Sequence, residues 1–256
     1  MTIDPLLQDP LPPPRRDDSG GVRRLVVLLA ALAVAVLLGG ALLTDRDAQV
    51  AGTAAAMGVT TSTLPSTDQP GSLWWVVSAA RPLPDGYVPP DLVAVDVPIA
   101  PGTDATQLTA TAAAAFEAMV ADASESGYDL QLNSAYRSFD DQAALRARYV
   151  HDYGAETAAQ LVAAPGTSEH QTGMAVDVGL VGLPDDQSFG STAASRWVAD
   201  NAHRFGFIVR YPPDKAAITG YANEPWHLRY VGDDLASELH AGGLTMEERF
   251  GLAPPP

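Results

Sequence analysis

The chain has 256 residues, 46 % of them hydrophobic, and carries 31 Asp and Glu against 15 Lys and Arg for a formal net charge of −16. That balance argues against nucleic acid as a partner, because phosphate neutralisation needs clustered basic side chains, and the acidity reads instead as a means of staying soluble. Cysteine is absent, which excludes disulfides, thiolate metal sites and a cysteine nucleophile, so any metal has to be held by His, Asp or Glu.

Residues 1–24 are short, Pro-rich and charged, the composition of a disordered tail. Leu25 to Leu43 is a run of 19 residues without a charge, about the length that crosses a hydrocarbon core of roughly 30 Å. Arg15, Arg16, Arg23 and Arg24 precede it, and Asp45, Arg46 and Asp47 follow. Positive charge stays on the cytoplasmic side, so the reading is a single-pass signal anchor in the cell membrane, with the tail inside and everything after Leu43 outside. The alternative is a cleaved signal and a secreted protein, but a signal h-region has only about 7–15 residues. Residues 44–70 are rich in Ala, Thr, Ser, Pro and Gly, as in a flexible linker.

The folded domain is expected over residues 71–252. Leu73–Val77 and Leu92–Val97 read as short strands bounded by Pro and Gly. Asp104–Ser124 reads as a helix with Leu108, Ala112, Ala115, Phe116 and Met119 on one face and Gly127 as its stop. Leu130–Tyr136 reads as a strand, and Phe139–Tyr149 as a helix with Asp140 and Asp141 in its first turn, where the helix dipole favours anions. Gly173–Val178 alternates like a strand, Thr192–Phe205 is helical, Gly206–Tyr211 and Trp226–Val231 are strands, and Asp233–His240 is a further helix. Strands and helices mix without a regular βαβ rhythm, so the expected class is α+β, a mostly antiparallel central sheet with flanking helices.

Two stretches carry chemistry. SEHQTGMAVDV (168–178) holds His170 and Asp177, and EPWHLRY (224–230) holds Glu224 and His227. Two imidazoles and a carboxylate can hold a zinc ion and leave a position open for water. A further carboxylate three residues before the last ligand can take that water's proton. Asp177 is a lone carboxylate in an apolar strand, a costly placement that a metal ion would offset. The bland alternatives are a strand-end Asp capping a turn with Gly179 and a core histidine beside Trp226. The first is weakened by His170, seven residues before Asp177, and by Gly173, which lets the chain bend so that the two converge. Pro225 fixes the backbone between Glu224 and His227. His151, His203 and His240 lie in or beside helical stretches without such company and are given no metal role.

The segments SAYRSFDDQ (134–142), PGTSEHQTGMAVDV (165–178), FGFIVRYP (205–212) and ITGYANEPWHLRYVG (218–232) resemble the VanY-type D-alanyl-D-alanine carboxypeptidases, zinc peptidases related to the VanX-type dipeptidases. The pattern S-x-H-x-x-G-x-A-x-D is met by Ser168, His170, Gly173, Ala175 and Asp177, and E-x-W-H by Glu224, Trp226 and His227. The resemblance implies the zinc D-Ala-D-Ala peptidase fold, shared with hedgehog-like domains. It implies Zn2+ on His170, Asp177 and His227, Glu224 as general base, and Arg137 holding an oxyanion or the substrate's terminal carboxylate, for which a planar guanidinium is suited. Ser134, Ser138, Gln142 and Ser168 are implied as substrate-pocket residues, although N-capping accounts equally well for Ser138, which precedes FDDQ. The implied partner is a peptidoglycan stem peptide ending in D-Ala-D-Ala. L,D-carboxypeptidases and endopeptidases share the same zinc core and remain alternatives, as does a non-catalytic zinc-containing wall-binding module, which the presence of Glu224 disfavours.

Overall fold

The structure, a computed structural model, describes residues 64–183 and 186–253. The expected tail, the 25–43 anchor and the linker up to residue 63 lie outside the described residues. Among the described residues, no helix is long and apolar enough to cross a membrane.

In chain order the elements are β1 (Leu92–Ala94), β2 (Gln107–Thr109), α1 (Ala110–Glu125), β3 (Leu130–Ser134), α2 (Phe139–Tyr153), α3 (Ala155–Leu161), a 3-10 turn (Glu169–Thr172), β4 (Ala175–Leu180), α4 (Asp186–Phe189), α5 (Ala193–Asn201), a second 3-10 turn (Ala202–Phe205), β5 (Phe207–Tyr211), α6 (Ala216–Thr219), β6 (Glu224–Tyr230), α7 (Asp233–Gly242) and α8 (Met246–Phe250). β3, β4, β6 and β5 form, in that order, a four-stranded sheet with every neighbour antiparallel. β1 and β2 form a separate antiparallel pair. The α+β class with an antiparallel central sheet is therefore as expected.

Side chains alternate across a strand, and the alternation assigns the two faces. Leu130, Leu132, Val176, Val178, Phe207 and Leu228 belong to the main core, with Phe116 and Met119 of α1. The rings of Phe116 and Phe207 meet edge to face at 6.2 Å. Burying such a side chain completely is worth about 1.5–3 kcal/mol. Asp177 and His227 lie at positions of opposite parity to these core residues. The apolar face thus anchors the sheet while its other face is left to carry chemistry.

Two expected elements differ most. The Asp104–Ser124 helix begins at Ala110, because Gln107–Thr109 pairs instead with Leu92–Ala94; its stop falls where Gly127, at φ +86°, was expected to end it. Leu73–Val77 lies in no strand. Its carbonyl groups are claimed by side chains: Arg229 Nη2 donates to Leu73 O (3.2 Å) and Trp75 O (3.0 Å), and Arg81 Nε donates to Val76 O (3.2 Å). Trp74 Nε1 donates to Val231 O (3.0 Å), and Val76 packs with Val231, Leu235 and Leu239. Trp75, Val76 and Val77 are buried, but side-chain donors have taken the place of a strand partner.

The sheet departs from regular pairing in two places. Leu130 and Leu132 face Leu180 and Val178, but Ser134 faces Asp177 rather than Val176, a slip of one residue. Val209 faces Leu228, but Tyr211 faces Glu224, a slip of two, beside Pro225, which cannot donate to the ladder. Bulges re-aim side chains next to active sites, and both of these turn a polar residue towards the same end of the sheet.

Candidate metal centre

Asp177 on β4 and His227 on β6 are direct cross-strand partners, so the register alone brings them together. The bulge adds Ser134 to the same row from β3. His170 arrives from outside the sheet, on the 3-10 turn that Gly173 ends in a left-handed conformation at φ +67°. Gly173 therefore supplies the bend by which His170 and Asp177 converge. A Cβ there would stand 2.8 Å from Leu92 Cδ2 and 3.2 Å from both Pro89 Cγ and Thr109 Cγ2. Gly173→Ala is expected to lower stability by about 1–3 kcal/mol, the usual cost of a strained backbone site, read as a lower midpoint in urea unfolding; an unchanged midpoint would remove the strain argument.

His170, Asp177 and His227 each offer one ligand atom, and these atoms lie within 4.8 Å of one another. All three residues are buried. His170 Nε2 is 3.2 Å from Asp177 Oδ2, and His227 Nδ1 is 2.8 Å from Asp177 Oδ1. His170 Nδ1 lies 2.7 Å from Ala135 O. A carbonyl can only accept, so Nδ1 carries the hydrogen. Burial pushes the His170 pKa down despite the charge of Asp177, which keeps the ring neutral. Its Nε2 lone pair therefore faces a carboxylate oxygen, an arrangement that asks for a cation between them. Burial would raise the Asp177 carboxyl, but its contacts with His170 and His227 hold it well below the usual carboxylate range. Burial works against a charge on His227 too, yet its contacts with Asp177 and Glu169 raise it to about 10; a metal entering there displaces a proton. The donor set, two imidazoles and one ionised carboxylate, fits zinc.

Glu224 begins β6, partly exposed where the ligands are buried, and its charge acts on both His227 and Tyr211. Tyr211 stacks on His227 at 5.1 Å between ring centroids, and Tyr221 stacks on Tyr211 at 4.4 Å. Burial, reinforced by the charge of Glu169, pushes both phenols up, so they remain neutral.

Arg137 follows β3, and its backbone N–H donates to His170 O at 3.3 Å. Its guanidinium donates to Gln142 Oε1 (2.7 Å) and to Ser134 Oγ (2.9 Å), while Gln142 Nε2 donates to Ala163 O (2.8 Å). Ser134 and Gln142 thus hold Arg137 in place beside the ligands. Ser138 caps α2, accepting from Asp141 N at 3.1 Å. Ser168 is buried at the entry to the 3-10 turn. His151 pairs with its neighbour Asp152 at 2.8 Å, and His203 and His240 stack on each other at 3.8 Å.

Behind the ligands lies a buried ionic network that the sequence reading did not single out. Arg210 Nε donates to Glu169 Oε1 (2.8 Å), and its two terminal nitrogens donate to Glu247 (3.0 and 2.5 Å). Arg229 Nη1 lies 3.3 Å from Glu169 Oε1, and Glu169 Oε2 lies 3.7 Å from His227 Nε2. A signal existed: FIVRY and WHLRY each place an arginine in a largely apolar strand, and buried guanidinium groups need anions.

A family model described as VanY, D-alanyl-D-alanine carboxypeptidase, matches residues 105–233. The putative carboxypeptidase YodJ of Bacillus subtilis (strain 168) is 40 % identical over 191 residues, 73 % of this chain and 70 % of that protein. The solved LdcB LD-carboxypeptidase superposes with a TM-score of 0.67 at 40 % identity, covering 72 % of this chain and 88 % of its own. A vancomycin-resistance D,D-pentapeptidase VanY solved in complex with Zn(II) gives a TM-score of 0.56 at 32 % identity, over 68 % of this chain and 97 % of its own.

Proposed function

From the chain's membership of the VanY family of D-alanyl-D-alanine carboxypeptidases, a zinc peptidase family, we propose that it is a zinc-dependent D,D-carboxypeptidase removing the terminal D-alanine from peptidoglycan stem peptides that end in D-Ala-D-Ala. The observation that carries this reading is the cross-strand pair Asp177–His227 closed by His170, with Glu224 three residues upstream on the same strand.

His170 Nε2, Asp177 and His227 Nδ1 would hold the metal. When bound, zinc polarises the scissile carbonyl and lowers the pKa of a water towards about 7. Glu224 accepts the water's proton and passes it to the leaving amine, its partial exposure giving it access to both. Arg137, presented by Ser134 and Gln142, binds the substrate's terminal carboxylate or the developing oxyanion. The Tyr221–Tyr211–His227 stack forms a rigid wall beside the ligand. In the same proposal residues 1–24 are a cytoplasmic tail, 25–43 a membrane anchor and 44–70 a linker. The catalytic domain, 71–252, then stands outside the membrane beside the wall, a placement supported by the uncharged run and its flanking arginines.

A second reading, L,D-carboxypeptidase, is favoured by the higher TM-score and identity with LdcB. Both reactions release D-alanine, and they differ in the residue that precedes the bond. Incubating the protein with a pentapeptide stem and a tetrapeptide stem, then weighing the products, separates them. Loss of one alanine from the pentapeptide alone is the expected outcome; cleavage of the tetrapeptide alone replaces it with the L,D reading. A chelator is expected to stop either reaction.

A further inference from the structure

The proposed mechanism uses three ligands, a base and an arginine, and leaves the buried carboxylate of Glu169 beside them without a task. Both arginines of the network converge on the same oxygen of Glu169: Arg210 Nε donates to Oε1 at 2.8 Å, and Arg229 Nη1 lies 3.3 Å from it. Oε2 is left with no hydrogen-bond partner among the described residues, and so is His227 Nε2, 3.7 Å away. A carboxylate that served only as counter-ion to two guanidinium groups would offer an oxygen to each. Here both guanidinium groups lie nearest the same oxygen, hydrogen-bonded from Arg210 and in ionic contact with Arg229, while the other oxygen lies 3.7 Å from the imidazole nitrogen. The carboxylate is also fixed from behind. Arg210 is clamped by Glu247, and Arg229 by the carbonyls of Leu73 and Trp75.

A carboxylate ionised in this setting accepts and does not donate. The group facing it must then present an N–H, and an imidazole that presents Nε2–H has its Nδ1 lone pair free on the opposite side, towards Asp177. We propose that Glu169 is a positioning residue that fixes the hydrogen of His227 on Nε2 and so commits Nδ1 to the metal. The inference rests on the zinc reading above. It extends the site from three ligands to a chain running His227, Glu169, Arg210, Glu247, with the outer partner of a metal-bound histidine supplied by the residue that immediately precedes another ligand.

The test uses the zinc-loaded full-length protein with 15N-labelled histidine. Five histidines make the imidazole spectrum assignable by substitution. In the parent protein His227 is expected to show a protonated Nε2 with a low-field, hydrogen-bonded proton, and substitution of 113Cd for zinc is expected to give coupling to Nδ1. In Glu169→Gln that proton moves upfield, and zinc affinity, measured by chelator competition, falls about 10- to 100-fold, the usual effect of losing such an outer partner. The measurement on the parent protein needs no variant to fold. Metal coupling to Nε2 in the parent overturns the inference, as does a Glu169→Gln protein whose Nε2 proton and zinc affinity are unchanged, which would leave Glu169 as a counter-ion only. A parent chain that takes up no zinc overturns the zinc reading and this inference with it.

Discussion

Glu224→Gln is expected to lower kcat for stem-peptide hydrolysis by about 100- to 10,000-fold, the contribution of a positioned general base, while zinc content stays at one per chain. The substitution is nearly isosteric and removes the carboxylate's charge together with its ability to hold a proton. Glu224 opens β6 opposite Tyr211 and lies three residues from His227, yet it is partly exposed and is not one of the three converging ligand atoms. Its loss should therefore fall on turnover and not on metal retention. Measuring kcat, KM and bound zinc on one preparation decides the matter. A parental kcat would remove Glu224 as the base, and loss of zinc together with activity would make it a ligand instead.

The largest effect on stability is expected at Arg210. Arg210→Leu leaves Glu169 and Glu247 buried without their main counter-charge; each residue of this trio is less than 5 % exposed. Breaking a buried ion pair from one side costs about 3–5 kcal/mol, because the remaining charge is stranded away from water. The contrast lies on the same molecule. Arg249 and Glu238 pair at the surface with side chains 37 % and 49 % exposed, and removing such a pair costs about 0–1 kcal/mol. Urea unfolding of Arg210→Leu and Arg249→Leu, both with zinc in excess, should separate them by several-fold in lost free energy. Equal losses would show that burial of the Arg210 network contributes nothing special.

What could be read from the sequence followed the physics of each signal. Asp177 and His227 stood out because charged or polar side chains are rare in apolar strands, and Gly173 because a bend between two ligands needs a left-handed residue. The class of the fold followed from the order of strands and helices. Glu169 escaped notice because it sits in a polar, turn-forming stretch, where an acid reads as solvated; only the three-dimensional convergence of Arg210 and Arg229 buries it. The bulges at Ser134 and Tyr211 were equally hidden, since strand pairing, not local pattern, decides where a register slips. Leu73–Val77 reads as a strand and is not one, because an apolar run bounded by Pro and Gly is silent on whether a backbone or a side chain satisfies its carbonyl groups. The start of α1 was misplaced for a similar reason, since Leu108 faces the core whether it lies in a helix or in a strand.

The hold of Arg229 on the carbonyls of Leu73 and Trp75 bears on how portable this catalytic unit is. The stretch that matches the family spans residues 105–233 and contains every proposed ligand and the proposed base. The two carbonyls that anchor Arg229, and Glu247, which anchors Arg210, all lie outside it. A graft or trimmed protein limited to the recognisable motif span would carry the ligands but not their mooring, and the shortest transplantable piece runs from Leu73 to the end of α8.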